Sequence, residues 1–507
     1  MSQPQGKVWL VGAGAGEPGL ITVRGHAVLS RADVVLFDAL AHPALLEACP
    51  QAEQRNVGKR YGEDSAEQDA IIAQMIELAR QGKRVVRLKG GDPLMFARGA
   101  EEALALADAG IKFEIVPGVS SPVAASAYAG ISLTHRDVSR SVTFITGSHR
   151  AGKEWSPEQW RKLATATDTI CVLMGMRRID EITQAIIDGG RAPETPAAVI
   201  HWGARPEQRV VTAPLAQIAR AAHDAGLKNP AIILIGEVVT LREQLSWYDA
   251  RPLSGKRIAI PRAAEQARET AAAVRERGAT ALALPMIEIA PPPEPAVFSE
   301  AVARMHGYDW VLFTSSNGVE QLRLELERTG RDARAFGAAR VGAIGPKTAE
   351  ALVRLGIRAD VVAQEFVGEG LASAVLAQGT PRRALLLRAL VARDALPETL
   401  RRSGCEVDVV AAYETRALPD AAAELRRLIQ DGGVDAMMFT SSSTVSSTLQ
   451  ALGADGAELL RRVALASIGP ITTKTLQAAG LAPTVQASVY TVEGTLDALE
   501  QHFSAAN

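Results

Sequence analysis

Short apolar runs rich in valine, isoleucine and leucine alternate along the whole chain with longer alanine- and leucine-rich stretches of helical character. That alternation predicts α/β domains with largely parallel sheets, whose strands read as continuous apolar segments because both faces are covered. In the first half the pattern predicts strands at Val8 to Val11, Val34 to Phe37, Val85 to Leu88, Phe113 to Val116, Val142 to Thr146, Ile170 to Met174, Ala198 to Ile200 and Ile232 to Ile235. In the second half it predicts Arg257 to Ile260, Ala281 to Pro285, Trp310 to Phe313, Val341 to Ile344, Ala384 to Leu387, Val407 to Ala411, Met437 to Phe439 and Leu465 to Ile468. Between two complete α/β patterns lies SWYDARPLSGK, Ser246 to Lys256, whose Pro, Gly and Ser mark it as the linker candidate, with 249–255 as its centre. A second break falls at APPPEP, Ala290 to Pro295, where proline interrupts regular structure.

The second half repeats itself. DWVLFTSSNGV, Asp309 to Val319, returns as DAMMFTSSSTV, Asp435 to Val445, 126 positions on. Arg262 pairs with Arg388 and Gly278 with Gly404 at the same offset, whereas Gly345-Pro346 pairs with Gly469-Pro470 and Glu369-Gly370 with Glu493-Gly494 at 124. Two units of one plan are predicted, and paired lobes commonly enclose a ligand.

At 507 residues the chain exceeds one ordinary domain. Its formal net charge of −2 argues against nucleic acid or an anionic membrane as main partner, so an anionic ligand must meet local arginines. Cys49, Cys171 and Cys405 are widely spaced, without the pattern of a disulfide framework or a zinc site, and no metal is expected. No signal-type start and no apolar run of about 18 residues is found, so a soluble, cytoplasmic protein is expected.

After the first strand comes Gly12-Ala13-Gly14-Ala15-Gly16, which invites a dinucleotide-binding reading, with Asp38 as the acid on the ribose. The spacing defeats it: Glu17 stands where the third glycine belongs, and Pro18 follows. The loop instead resembles the opening of the tetrapyrrole methylase family. Further matches are VGKR at Val57 to Arg60, RLKGGDPLMFARGAEE at Arg87 to Glu102, VPGVSSPVAASAYAGISLTHRD at Val116 to Asp137, and NPAIILIGEVVTLREQLSWY at Asn229 to Tyr248. The SLTHRD and LSWY endings are most similar to the uroporphyrinogen-III C-methyltransferase subgroup.

The resemblance implies a two-lobed class III methyltransferase over 1–248, with lobes at about 1–117 and 120–248, that uses S-adenosyl-L-methionine. Its cofactor positions correspond here to Ala15, Gly90, Gly91, Asp92, Met95, Ser120, Ser121, Met174, Gly203, Pro230 and Ala231. Ala15 departs from the family's proline, and Ala97 and Ala100 replace its glycines. The family's acid/base positions fall on Asp38 and Lys59, with helix capping and a solvated lysine as the competing readings. Its octacarboxylate substrate makes Arg87, Arg98 and Arg136 candidate clamps; His135 reads as a structural histidine. A homodimer formed through this half is also implied.

The ordered segments FTSSNGV, GAIGPKTAEAL, EFVGEGL, AAYETR and IGPITTKTL resemble uroporphyrinogen-III synthase over 256–507. The implied fold is two flavodoxin-like lobes, one of about 254–288 plus 416–507 and the other of 291–413, crossed at the PPP segment and near Tyr413. Thr314, Ser315, Ser316, Thr440, Ser441, Ser442 and Thr472 are candidate donors to substrate carboxylates, helix capping being the alternative. Tyr413 matches the family's tyrosine that assists loss of a hydroxyl as water. The activity implied is closure of hydroxymethylbilane to uroporphyrinogen III, followed by two C-methylations to precorrin-2. The alternative is a methyltransferase for another corrin precursor with a non-catalytic C-terminal binding module.

Overall fold

A computed structural model describes residues 6–58, 66–148 and 155–505. The chain divides into two compact units, the first holding 1–256 with 275–280 and the second holding 257–274 with 281–507.

The first unit contains two five-stranded sheets. In the first, Lys7–Gly12 lies between Arg84–Lys89 and Lys112–Val116, and Val34–Phe37 lies between Arg84–Lys89 and Glu53–Asn56, all parallel. Val8, Leu10, Val34, Leu36 and Val85 pack on one face and Val11, Val35, Val86 and Leu88 on the other, all essentially inaccessible. Burial on both faces is why these strands show as unbroken apolar runs. Glu53–Asn56, by contrast, has the sequence EQRN and sits at the sheet edge, where no apolar pattern announces it.

The second sheet corrects the expectation of parallel strands. Only Val142–Thr146 and Thr169–Leu173 pair in parallel; Ala231–Ile235 runs antiparallel between Thr169–Leu173 and Pro196–His201, and Arg209–Pro214 closes an antiparallel edge. A physical reason lies in the segment after His201. Pro196–His201 and Arg209–Pro214 are joined by a loop too short for the crossover of about a dozen residues that parallel strands need.

The stretch expected to be a linker is built into the first unit. Tyr248 is buried against Tyr128, with the Arg251 guanidinium 3.5 Å from its ring centroid. The Asp249 carboxylate accepts bonds from Arg242 at 2.6 Å and Gln208 at 2.9 Å. Burial pushes the Tyr248 hydroxyl up to about 12.

In the second unit the sequence repeat becomes a repeat of sheet order. One sheet runs Thr280–Ala283, Arg257–Ile260, Ala436–Phe439, Ala464–Ser467, Val485–Gln486. The other runs Glu406–Ala417, Arg383–Ala389, Trp310–Phe313, Arg340–Ala343, Val361–Val362, with Ile287–Ala290 added antiparallel at its edge. Matched at offsets of 126 and 124, the five strands stand in the same order, the 2-1-3-4-5 pattern of flavodoxin-like sheets in the first case and its permuted counterpart in the second. The proline-rich break reads differently in three dimensions: Pro291 to Pro293 separate strand Ile287–Ala290 from a helix that starts at Pro295, where proline suits the first turn.

Candidate functional site

In the first sheet every strand is parallel, so the loops that leave its carboxyl ends gather on one side, the usual ligand side of such sheets. Three of these loops meet through glycine. Gly14 and Gly91 pair as a short bridge, Gly14 N–H donating to Gly91 at 3.2 Å and Gly91 N–H to Gly14 at 2.8 Å. A Cβ on Gly12 would lie 2.5 Å from the Gly118 backbone, and one on Gly118 only 2.3 Å from the Gly91 carbonyl oxygen. Asp92 then ties two loops together, accepting from Leu94 N–H at 2.8 Å and from Gly118 N–H at 3.1 Å.

Around this junction the expected cofactor positions converge. Gly91 faces the start of helix Ser121–Tyr128, a Cβ there falling 3.5 Å from Ser121 N and 3.7 Å from Ser120 Cα. Ser120 is buried at the helix N-cap without using its side chain as a cap. In the other lobe, Met174 follows strand Thr169–Leu173, Gly203 follows Pro196–His201, and the antiparallel Ala231–Ile235 starts at that same end. Pro230 and Ala231 are thereby brought beside Met174 and Gly203, and Trp202 N–H donates to the Pro230 carbonyl at 3.1 Å. The lobes touch through the glycine loop, where a Cβ on Gly16 would stand 2.5 Å from the Gly203 carbonyl oxygen. Ala15, Gly90, Gly91, Asp92, Ser120, Met174, Gly203 and Pro230 thus lie on loops of one junction, with Ser121 at the start of a helix and Ala231 at the start of a strand beside them, and Met95 on the loop that leaves Gly91-Asp92.

Backbone strain concentrates on these loops. Phe96, Arg98, Met174, Trp202 and Ala204, none of them glycine, all adopt positive φ between 48° and 61°. Such conformations cost on the order of 1–3 kcal/mol each and collect where a site is held in shape. Leu94, Phe96 and Met174 are exposed apolar side chains on the same loops, and Leu40, also exposed, lies next to Gly90, where a Cβ would stand 3.1 Å from the Leu40 Cβ. Side-chain-free backbone at Gly90-Gly91, an apolar rim and the Asp92 carboxylate fit a ligand with a planar apolar part and a cationic centre, as S-adenosyl-L-methionine has.

Beneath this edge lies a charge network that the sequence did not disclose. Glu102 is fully buried, and its Oε1 accepts from Gln68 Nε2 at 2.9 Å, Lys89 Nζ at 2.9 Å and Arg87 Nε at 3.2 Å. Arg87 reaches on to Asp38 Oδ1 at 2.5 Å and to the Leu36 carbonyl at 3.3 Å. Burial, reinforced by the Arg87 charge, lowers the Lys89 pKa. Arg87 therefore does not serve as an open carboxylate clamp: it is 2% exposed and its donors are committed inside the protein. Asp38 caps no helix; Arg87 holds it while its side chain stays 28% exposed. Arg98 bonds Glu101 at 2.6 Å, Arg136 is exposed on the loop closed by the His135–Ser139 bridge, and Lys59 lies outside the described residues.

Close by, His42 Nδ1 accepts from Ala44 N–H at 3.2 Å, a bond only the ring nitrogen without a proton can make. Burial first, and the Arg205 charge second, hold its pKa down to about 4. Below an unfolded value of about 6.5 the unfolded chain binds the proton more readily. This contribution to stability is present above pH 6.5 and lost as pH falls towards 4. We expect His42→Gln to flatten the fall in the thermal midpoint of this half over that window; an unchanged slope would rule His42 out as its source.

In the second unit Ser315 and Ser441 cap helices Ser316–Arg328 and Ser442–Leu452, accepting from Gly318 N–H at 3.1 Å and Thr444 N–H at 3.3 Å. Their hydroxyls are thus engaged in capping, the alternative weighed for them from sequence. Ser316 opens the first helix, Ser442 donates to the Ile471 carbonyl at 3.4 Å, and Thr472 is buried. Thr314 follows strand Trp310–Phe313 half-buried, and the equivalent Thr440 carries a buried hydroxyl with no partner among the described residues. Tyr413 is 7% exposed, its hydroxyl 3.0 Å from Ser315 Oγ. No cluster of metal-binding side chains occurs among the described residues.

Two family descriptions match the chain in order: "Tetrapyrrole (Corrin/Porphyrin) Methylases" over residues 7–219 and "Uroporphyrinogen-III synthase HemD" over 268–497. The "Porphyrin biosynthesis protein HemD" of Ruminiclostridium josui is 35% identical over 449 residues, 88% of this chain and 89% of its own length. "Siroheme synthase 1" of Yersinia enterocolitica is 49% identical over 249 residues, 49% of this chain and 52% of that protein, so the chain spans about half the length of this relative. A crystal structure of uroporphyrin-III-C-methyltransferase from Thermus thermophilus is 38% identical, with 47% of this chain and 98% of that one covered, at a TM-score of 0.40. The chain belongs to the porphyrin biosynthesis family in which a tetrapyrrole methylase is fused to a uroporphyrinogen-III synthase.

Proposed function

We propose that this chain catalyses two consecutive steps of tetrapyrrole synthesis. Its second half closes hydroxymethylbilane to uroporphyrinogen III, and its first half methylates that product twice towards precorrin-2. The observation that carries the reading is the presence, in one chain, of both family matches, the product of one reaction being the substrate of the other.

S-adenosyl-L-methionine is the methyl donor, and when bound it supplies a methyl group activated on a sulfonium. The protein's task is then to align and to handle a proton, not to generate a strong nucleophile. Gly90 and Gly91 leave backbone room for the adenosyl group, with Asp92, Ser120 and Ser121 on one side and Met174, Gly203, Pro230 and Ala231 on the other. Asp38, held by Arg87 at 2.5 Å, takes the proton that leaves the methylated pyrrole. Lys59, assigned on family grounds, shares in that same proton transfer, so that one proton leaves for each methyl group gained. In the synthase half, Tyr413 with Ser315 assists departure of the bilane hydroxyl as water, while positioning of the chain ends directs closure to the III isomer.

Buried free cysteines support a reducing, cytoplasmic setting, and among the described residues no helix is long and apolar enough to cross a membrane. Family resemblance supports a homodimer formed through the methylase half. The decisive experiment supplies hydroxymethylbilane and S-adenosyl-L-methionine to the purified chain. Precorrin-2 is expected; accumulation of uroporphyrinogen I alone would overturn the synthase assignment, and unmethylated uroporphyrinogen III the methylase one.

A further inference from the structure

Each lobe of the synthase half carries the same exposed aromatic feature. In one, Phe366 follows strand Val361–Val362; in the other, Tyr490 follows the equivalent Val485–Gln486. Both side chains are 63% exposed, although large aromatics are usually well buried. Both lie over glycine. A Cβ on Gly345 would stand 3.2 Å from the Phe366 ring, and one on Gly469 would stand 3.1 Å from the Tyr490 ring.

The loops that present these rings are built alike. Val367 N–H donates to the Glu365 carbonyl and Thr491 N–H to the Val489 carbonyl, both at 2.8 Å, so a tight turn brackets each aromatic. The turn packs on a glycine in each case, since a Cβ on Gly370 would lie 2.3 Å from the Glu365 oxygen and one on Gly494 2.2 Å from the Val489 oxygen. Duplicated sequence preserved the backbone, the supporting glycine and the aromatic character while phenylalanine and tyrosine diverged. What the two positions share is a ring face.

These loops leave the carboxyl ends of parallel strands, the edge that also carries Ser315 and Ser441. Further exposed apolar residues gather there, Val367, Leu390 and Val391 in one lobe and Ile471 and Val489 in the other. Exposed apolar residues gathered at the corresponding edge of each lobe fit a binding surface. Both flanking helices, Pro346–Arg354 and Pro470–Ala478, begin beside the rings at Gly345 and Gly469, caps without side chains. A ligand with planar, electron-rich rings and peripheral carboxylates matches a ring face set next to a helix N-terminus.

Resting on the synthase reading, we infer that Phe366 and Tyr490 are paired stacking platforms, one per lobe, that each take the face of a pyrrole ring of the linear tetrapyrrole. Gly345 and Gly469 are the bare seats that let the rings lie flat. Holding two rings of one chain on two lobes limits the geometries in which its ends meet.

The test uses the full chain with Phe366→Ala, Tyr490→Ala, the double variant and Tyr490→Phe, measuring KM and kcat for hydroxymethylbilane and the ratio of isomer III to isomer I. Methylation of supplied uroporphyrinogen III by the same preparations, together with thermal midpoints, shows that the chain stays folded. Each alanine variant should raise KM about five- to tenfold, as expected for loss of one stacking contact. The double variant should compound the effect and release more isomer I, while Tyr490→Phe should behave as the parent. Unchanged KM in the double variant would overturn the inference, as would a Tyr490→Phe variant as impaired as Tyr490→Ala, which would make the hydroxyl the working group. A parent chain that forms only isomer I would instead overturn the synthase reading itself.

Discussion

Replacing Glu102 with alanine should destabilise the methylase half by about 3–5 kcal/mol, the cost typical of breaking a buried ion pair from one side. The carboxylate is fully buried and receives Gln68, Arg87 and Lys89 on a single oxygen, Oε1. Removing it leaves a guanidinium and an ammonium, each 3% exposed at the side chain, with only Asp38 on the far side of the guanidinium as counter-charge. Arg87 cannot shed its proton, so relief must come from Lys89, whose pKa burial already lowers. A lysine with a lowered folded pKa costs the folded state most below that value. The deficit of the variant should therefore shrink as pH rises towards the lysine range. Thermal or urea unfolding of the full chain would show an early transition for this half with the synthase transition unmoved. A loss below about 1 kcal/mol would mean that water or a rearranged Asp38 neutralises the pair, and the buried network would lose its proposed weight.

How much of this could be read from sequence depended on what each residue is asked to do. Val34–Phe37, Arg257–Ile260 and Trp310–Phe313 appear as expected because strands inside a sheet must be apolar on both faces. Glu53–Asn56 and Arg209–Pro214 escaped notice because edge strands carry no such demand. The latter omission concealed the short hairpin that reverses the chain and makes the second sheet mixed. Among the expected site residues, Gly90, Gly91, Gly203 and Pro230, implied by the family resemblance, stand on converging loops because turns are local properties of sequence. Charged side chains were harder. Nothing in RLKGGDPLMFARGAEE separates an arginine that faces a ligand from one turned inward, and Arg87 turns inward to Glu102, fifteen residues away in sequence. Ser315 and Ser441 show the same ambiguity, since one hydroxyl pattern serves both caps and ligands, and here it serves caps.

Asp38→Asn should cost methyl transfer about 10²- to 10⁴-fold, the range for loss of a positioned general base, while the Kd for S-adenosyl-L-methionine changes less than threefold. Asparagine nearly matches aspartate in size, and its carbonyl oxygen can still accept from Arg87, so the loop after Val34–Phe37 should keep its shape. What disappears is the capacity to take a proton. The geometry makes this separation clean: Asp38 is anchored at Oδ1 by a guanidinium that is itself braced by Glu102, yet its side chain remains 28% exposed, held but open to a ligand. The proposed cofactor positions lie on other loops, those of Gly90-Gly91-Asp92 and Ser120-Ser121 and those of the second lobe, so in this reading donor affinity has no direct dependence on the Asp38 charge. Single-turnover methylation of uroporphyrinogen III, with donor binding measured by calorimetry on the same preparation, checks both halves of the expectation. Activity within threefold of the parent would remove Asp38 from the proton chemistry and leave its pairing with Arg87 as architecture; a matching loss of donor affinity would place it in the cofactor site instead.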